Sequence, residues 1–322
     1  MTAKIPDNSV LALCGGVGGA KLALGLSRTL GPDELLIAVN TGDDFLHLGL
    51  HISPDLDTVM YTLAGAADPE RGWGVAGDTW NFMEAIARFE GSDWFKLGDR
   101  DLATHVYRTR ALQHGLGLAE VTKSLCDAFG IEHRVLPMTD DPLQTIIVTG
   151  EGELPFQDYF ARLRCRPRVQ SVRFNWVELA RPHPEFAALL DNRELRAVVL
   201  CPSNPFLSID PILSLEGVRP ALQSTPAPVV AVSPIVGGKA LKGPAAKIME
   251  ELDMPASNLS IAEYYRDFLD GLIIDRADEH EAGAIEKLGI KVKVANTVMR
   301  SMQDREKLAE TTLQFASGLG LR

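Results

Sequence analysis

The chain has 322 residues, a formal net charge of −11 and 46% hydrophobic residues, enough for a sizeable core and more than one small domain usually encloses. The acidic balance argues against nonspecific binding to nucleic acid or anionic membranes, which rests on basic patches, and no apolar run approaches the roughly 20 residues that span a bilayer. Residues 1–7 lack the apolar stretch of a signal peptide, and Cys14, Cys126, Cys165 and Cys201 fall without metal-ligand spacing, so a cytoplasmic protein without structural disulfides is expected.

In chain order, an apolar run over residues 10–14 comes first and leads into Gly15-Gly16-Val17-Gly18-Gly19-Ala20-Lys21. A helix-compatible segment covers 22–30, and a second apolar run, 35–39, stops at Asn40-Thr41-Gly42-Asp43-Asp44. Strand, glycine turn, helix, strand and acidic loop make half of a doubly wound sheet, which binds ligands at the carboxyl ends of its strands. Residues without Cβ let a phosphate approach the backbone, and the N–H groups opening the next helix then face the anion. The string is neither a full GxGxxG nor a P-loop, and tight helix–strand packing is its other use.

Asp43, Asp44, Asp55 and Asp57 fall within fifteen positions. Carboxylates beside an anion site repel the ligand unless a cation intervenes, and Mg2+ binds through one or two carboxylates plus substrate phosphate oxygens. Asp44 and Asp57 are the candidate metal ligands and catalytic groups, while Asp55 equally suits the cap of the helix running through Thr58.

Residues 58–65 are helical in character, 68–74 are turn-rich, and helices are predicted over 80–89, from 97, and over 118–129. Residues 58–130 thus read as a helical insert. Strand-like stretches resume at 133–138 and 144–149; 155–164 could be helical, and 168–176 alternates as a half-buried strand does. Arg162, Arg164, Arg166, Arg168 and Arg173 form the one basic segment, either solvated surface or a flank for a phosphate ligand. Short apolar runs at 197–201, 229–232, 272–275 and 290–294 alternate with helices, the last over 305–319. The predicted fold is α/β: a doubly wound, Rossmann-like, mostly parallel sheet with a core of 1–57 and 131–322 and an insert of 58–130. Two later strands end in polar turns, Ser203-Asn204 and Gly237-Gly238-Lys239, which can meet the glycine turn at a nucleotide, with Lys239 offsetting diphosphate charge. Ordinary strand-to-helix turns use the same residue types.

Together these strings resemble the CofD family, called FbiA in actinobacteria: the 2-phospho-L-lactate transferases of deazaflavin coenzyme biosynthesis. The resemblance rests on the glycine string, on Asn40-Thr41-Gly42-Asp43-Asp44 and on Pro54-Asp55-Leu56-Asp57-Thr58. It continues through Asp68-Pro69-Glu70-Arg71-Gly72-Trp73-Gly74, Leu97-Gly98-Asp99-Arg100-Asp101-Leu102-Ala103-Thr104-His105, Pro202-Ser203-Asn204-Pro205 and Ser233-Pro234-Ile235-Val236-Gly237-Gly238-Lys239. It implies transfer of a phosphorylated three-carbon acid from a guanosine-diphosphate-linked donor to the terminal ribityl hydroxyl of the deazaflavin precursor Fo, releasing GMP. The acid is phospholactate in archaeal members and typically phosphoenolpyruvate in actinobacterial ones. Mg2+ is the implied metal and a homodimer the implied assembly.

On this reading Gly15, Gly16, Gly18, Gly19, Lys21, Ser203, Asn204, Gly237, Gly238 and Lys239 hold the donor. Asp44 and Asp57 hold the metal or orient the hydroxyl, and Asp44 matches the family's deazaflavin-contacting aspartate. The insert supplies the acceptor pocket, with Thr79, Asn81 and Arg100 as polar contacts. Where relatives carry a basic residue before Gly-Asp-Thr, this chain has Ala76, so either another base such as Arg71 or Arg100 substitutes or this protein handles its acceptor differently. The competing reading is a nucleotide-sugar-binding regulator of the YvcK type, which shares the glycine loop but is not expected to carry the acidic and 97–105 strings. A nicotinamide-dependent dehydrogenase fits less well, since Asn40 stands where its ribose-binding acid would.

Overall fold

The computed structural model describes residues 8–241 and 243–321; residues 1–7, read above for a signal peptide, lie outside the described residues. Seven short strands form one parallel sheet: β1 (Val10–Cys14), β2 (Leu35–Val39), β3 (Arg134–Pro137), β4 (Ala197–Leu200), β5 (Val229–Val232), β6 (Gly271–Asp275) and β7 (Lys291–Ala295). Their spatial order is β7-β6-β5-β4-β1-β2-β3. The winding reverses between β1 and β4, the switch point where open α/β sheets take ligands.

β1 shows why the central strands β1, β2, β4 and β5 carry no polar alternation, whereas the edge strand β7 does. Val10, Ala12 and Cys14 belong to one core cluster and Leu11 and Leu13 to another, on opposite faces of the sheet. A strand covered on both sides must be apolar at every position. The first face is covered by α1 (Gly16–Thr29), α2 (Pro54–Leu63), α5 (Leu118–Ala128) and the C-terminal helix Met302–Leu319. The second is covered by short helices, among them Pro184–Leu190 and Asn258–Tyr264, and by a small antiparallel sheet.

Several local expectations land differently. Residues 144–149 form the middle strand of that antiparallel sheet, between Gly152–Pro155 and Val169–Asn175, and do not join the main one. The expected helix over 155–164 is a strand end followed by a widened helical turn, Asp158–Arg162. Position 57/58 falls inside α2, whose Leu56, Val59 and Met60 pack in the main core. Beyond it, α3 (Asn81–Arg88), α4 (Asp99–Gln113) and the hairpin of Phe45–His47 with Leu50–Ile52 gather around a satellite cluster of Ile52, Met83 and Leu97. No described helix is long and apolar enough to cross a membrane.

Candidate functional site

A cavity of about 1020 Å³ opens at the switch point. Gly15, Gly16 and Gly18 after β1 line it, with Pro202, Ser203 and Asn204 after β4 and Ser233 after β5. The glycines are first of all packing devices. A Cβ on Gly18 would stand 2.3 Å from the Pro202 carbonyl oxygen, and one on Gly19 2.5 Å from Ser203 Oγ. Without side chains there, α1 sits directly against the turn that follows β4. Ser203 Oγ ties the two together, accepting from Gly15 N–H at 3.1 Å and donating to the Gly15 carbonyl at 2.9 Å.

The anion at the start of α1 is the protein's own. Gly16 N–H donates to Asp55 Oδ1 at 2.7 Å. Asn40 Nδ2 bridges Asp55 Oδ2 at 2.9 Å and Asp43 Oδ1 at 3.0 Å. Asp43 and Asp55 both line the cavity. Burial raises the Asp43 carboxyl well above the usual carboxylate range, and the charges of Asp55 and Asp44 add to the effect. Burial also lifts Asp55, to about 6, against the hydrogen bonds from Asn40 and Gly16 that favour its anion. Asp44 is off the lining: its Oδ2 accepts from Ser53 Oγ at 2.5 Å, and its buried Oδ1 has no hydrogen-bond partner among the described residues. Burial pushes this carboxyl up as well.

Asp57 lines the cavity but is already neutralised. Arg108, fully buried on α4, pairs with both of its oxygens: Nη2 with Oδ1, and Nη1 with Oδ2 at 3.1 Å. Arg108 Nη1 also donates to the His51 carbonyl at 3.3 Å and lies 3.3 Å from His105 Nδ1. A guanidinium can only donate, so His105 Nδ1 accepts and a ring proton sits on Nε2, 3.2 Å from Asp101 Oδ1. Tyr61 donates to the same oxygen at 2.7 Å. Ligand-type atoms of Asp57, Asp101 and His105 lie within 4.8 Å of one another. The guanidinium bound to Asp57 makes this trio a poor cation site.

The sequence model of the family described as 2-phospho-L-lactate transferase CofD matches residues 10–314. The chain belongs to the CofD family of transferases. It is 39% identical over 305 residues to a 2-phospho-L-lactate transferase of Methanosarcina mazei, covering 95% of this chain and 99% of that protein. It is 38% identical over 314 residues to a phosphoenolpyruvate transferase of Kitasatospora aureofaciens, covering 95% and 97%. Two crystal structures of a UPF0052-family protein of Bacillus halodurans share the fold. They superimpose with TM-scores of 0.61 and 0.62 at 14% and 16% identity, over 96% of this chain and 99–100% of theirs.

Of the residues singled out in the sequence, the cavity gathers Gly15, Gly16, Gly18, Lys21, Asp57, Ser203 and Asn204. Gly19 lies behind them, against Ser203. Gly237 and Gly238, at φ +59° and +70°, are the tip of a two-residue hairpin between Ile235–Val236 and Lys239–Ala240, a turn that needs positive φ at both positions. Asp278 takes the Gly237 N–H at 2.9 Å, and Lys239 is exposed outside the lining.

Thr79, Asn81 and Arg100 also lie outside the lining and spend their donors locally. Thr79 Oγ1 and Asn81 Nδ2 bond Asp99 Oδ2 at 2.5 and 2.7 Å, and Arg100 Nη1 bonds the Ala76 carbonyl at 3.2 Å. The hydrogen bonds from Thr79, the Phe82 N–H and Asn81, Thr79's foremost, lower Asp99 to about 2. Of the two bases considered for the Ala76 position, Arg71 lines the cavity, packed over the rings of Trp73 and Trp80 at 5.4 and 4.9 Å, and Lys96 joins it there.

The lining that sequence reasoning missed includes the aromatics Trp94, Phe95, Phe156 and Phe160 and the cations Lys96 and Arg300. The Trp94-Phe95-Lys96 string, with two large apolar residues in a turn-rich stretch, was the available signal.

Proposed function

We propose that the chain transfers a phosphorylated three-carbon acid, phospholactate or phosphoenolpyruvate, from a guanosine-diphosphate-linked donor to the ribityl hydroxyl of Fo, releasing GMP in deazaflavin coenzyme biosynthesis. The observation that carries this reading is that one cavity is lined both by the glycine and Ser203-Asn204 turns at the sheet's switch point and by the aromatic side chains Trp73, Trp94, Phe95, Phe156 and Phe160. The first suits a nucleotide diphosphate and the second a flat heteroaromatic ring. End-to-end similarity to transferases named for both acids supports the same reaction class.

In that reaction the hydroxyl oxygen forms a bond to the phosphorus bearing the acid, the bond from that phosphorus to GMP breaks, and the hydroxyl proton passes to a carboxylate. Such a displacement depends on in-line positioning and charge neutralisation. Mg2+ fits the residues: Asp43 and Asp55 offer an all-oxygen donor set, and burial raises both carboxyls, a cost that a bound divalent ion relieves. When bound there, the ion would neutralise diphosphate charge. Asn40 fixes both carboxylates through one amide, and Arg108 holds Asp57 in place.

Asp44 is assigned the hydroxyl proton on the family resemblance and its raised proton affinity; its buried Oδ1 lies off the lining, so this role requires that acceptor binding uncover it. The place of Asp43 on the lining makes it the second candidate. Purified protein with Fo, Mg2+ and the lactyl, enolpyruvyl or glyceryl guanosine diphosphate tests the reading by product mass. No phosphodiester product from any of the three would overturn it.

A further inference from the structure

Arg162, Arg164, Arg166 and Arg168 stand at every second position of one loop, and all four are exposed. The loop begins where the cavity lining ends, directly after Phe160 and Ala161. Arg164 and Cys165 turn it through left-handed conformations, φ +51° and +55°.

The loop is held in place along its length. Cys165 N–H donates to the Tyr159 carbonyl at 2.9 Å, Lys247 Nζ to the Pro167 carbonyl at 3.2 Å, and Val169 N–H to Glu251 Oε2 at 2.9 Å. Arg162 pairs with Asp158 at 3.2 Å. Arg164, Arg166 and Arg168 have no ion pair among the described residues.

These uncommitted cations sit on a chain of net charge −11, beside a cavity lined by Lys21, Arg71, Lys96 and Arg300 as well as by Asp43, Asp55, Asp57 and Asp101. An anionic ligand approaching that cavity meets repulsion at long range, and attraction near the entrance would offset it. Arg164 is three residues from Ala161, so its backbone lies at most about 11 Å from the lining, comparable to the Debye length of about 10 Å at 0.1 M salt.

We propose that Arg164, Arg166 and Arg168 form an electrostatic landing surface that gathers a nucleoside diphosphate at the cavity entrance before it binds. The proposal rests on the nucleotide-diphosphate donor argued above. It assigns the three arginines a role in association and none in holding the bound ligand.

The test is stopped-flow binding of fluorescent N-methylanthraniloyl-GDP to the full chain with Mg2+, across a salt series. Arg164→Gln/Arg166→Gln/Arg168→Gln should associate about tenfold more slowly than wild type at low salt, with an unchanged dissociation rate and thermal midpoint. The gap should close at about 0.5 M NaCl, where charges are screened. The corresponding triple Lys variant should keep the wild-type rate. Equal association rates and equal salt slopes for wild type and the Gln variant would overturn the landing surface while leaving the donor reading intact. Failure of wild type itself to bind the probe would overturn the donor reading, and the landing surface with it.

Discussion

Arg108→Met is the sharpest test of how the cavity is built. The substitution keeps most of the apolar stem and removes a guanidinium that is 0% exposed. Asp57 then keeps a buried carboxylate with its main partner gone, and the His51 carbonyl and His105 Nδ1 lose a donor. Removing one member of a buried pair costs about 3–5 kcal/mol, because the remaining charge is left uncompensated. At about 2–4 °C per kcal/mol, scanning calorimetry should find a midpoint lowered by roughly 6–20 °C. The double variant Arg108→Met/Asp57→Asn should lose less than the two single losses summed, by more than about 1 kcal/mol, since the orphaned charge is gone. A single variant within about 1 kcal/mol of wild type, or singles that simply add, would refute the sealed pair and leave Asp57 free for other roles.

Asp44→Asn should lower turnover by about two to four orders of magnitude with GDP affinity nearly unchanged; near-wild-type turnover in this variant would remove Asp44 as the base. Gly18→Ala should destabilise the chain by about 1–3 kcal/mol in urea unfolding, because its Cβ would meet the Pro202 carbonyl oxygen at 2.3 Å; a stable variant with weakened GDP binding would instead point to a direct phosphate contact. Asp55 has a folded pKa of about 6, above its unfolded value, so its stabilising contribution is complete below about pH 4 and is lost as pH rises through 6. The midpoint of chelated wild type minus that of Asp55→Asn should therefore be larger at pH 5 than at pH 7, while His47 and the half-buried His51, whose effect runs the other way, cancel in the difference. EDTA should abolish transfer and Mg2+ restore it; full activity after rigorous chelation would remove the metal.

The sheet was legible because a strand buried on both faces has to be apolar throughout, and residues 10–14, 35–39, 197–200, 229–232 and 271–275 carry that constraint on their surface. Strand order was not spelled out by the pattern, yet the glycine turn and Ser203 were expected to converge, and they do so through a bond between residues 188 positions apart. The acidic cluster was legible as a cluster but not as four separate roles. What distinguishes Asp57 is Arg108, 51 residues away on a helix whose buried face is polar, Asp101, Thr104, His105 and Arg108, and so carries no hydrophobic signal of burial. Thr79, Asn81 and Arg100 are polar residues in a helix-cap region, and caps and ligand contacts use the same side chains. Only the positions of their donors, aimed at Asp99 and the Ala76 carbonyl, tell the two apart.

The glycine turn changes meaning once its hydrogen bonds are known. A bare helix N-terminus attracts a phosphate through free N–H groups and the helix dipole. Here Asp55 already accepts from Gly16 N–H, and Ser203 from Gly15 N–H. A diphosphate arriving at this turn would face a carboxylate, and two anions share such a place only if one is protonated or a cation lies between them. Burial prepares the first route by raising Asp55 to about 6, and the neighbouring Asp43 prepares the second. At neutral pH the first route is mostly closed, since a group with that pKa is largely ionised. The acidic loop and the glycine turn therefore make one site rather than two. On the proposed reading, the same aspartates that would repel a donor in the absence of metal would anchor it through a bound Mg2+.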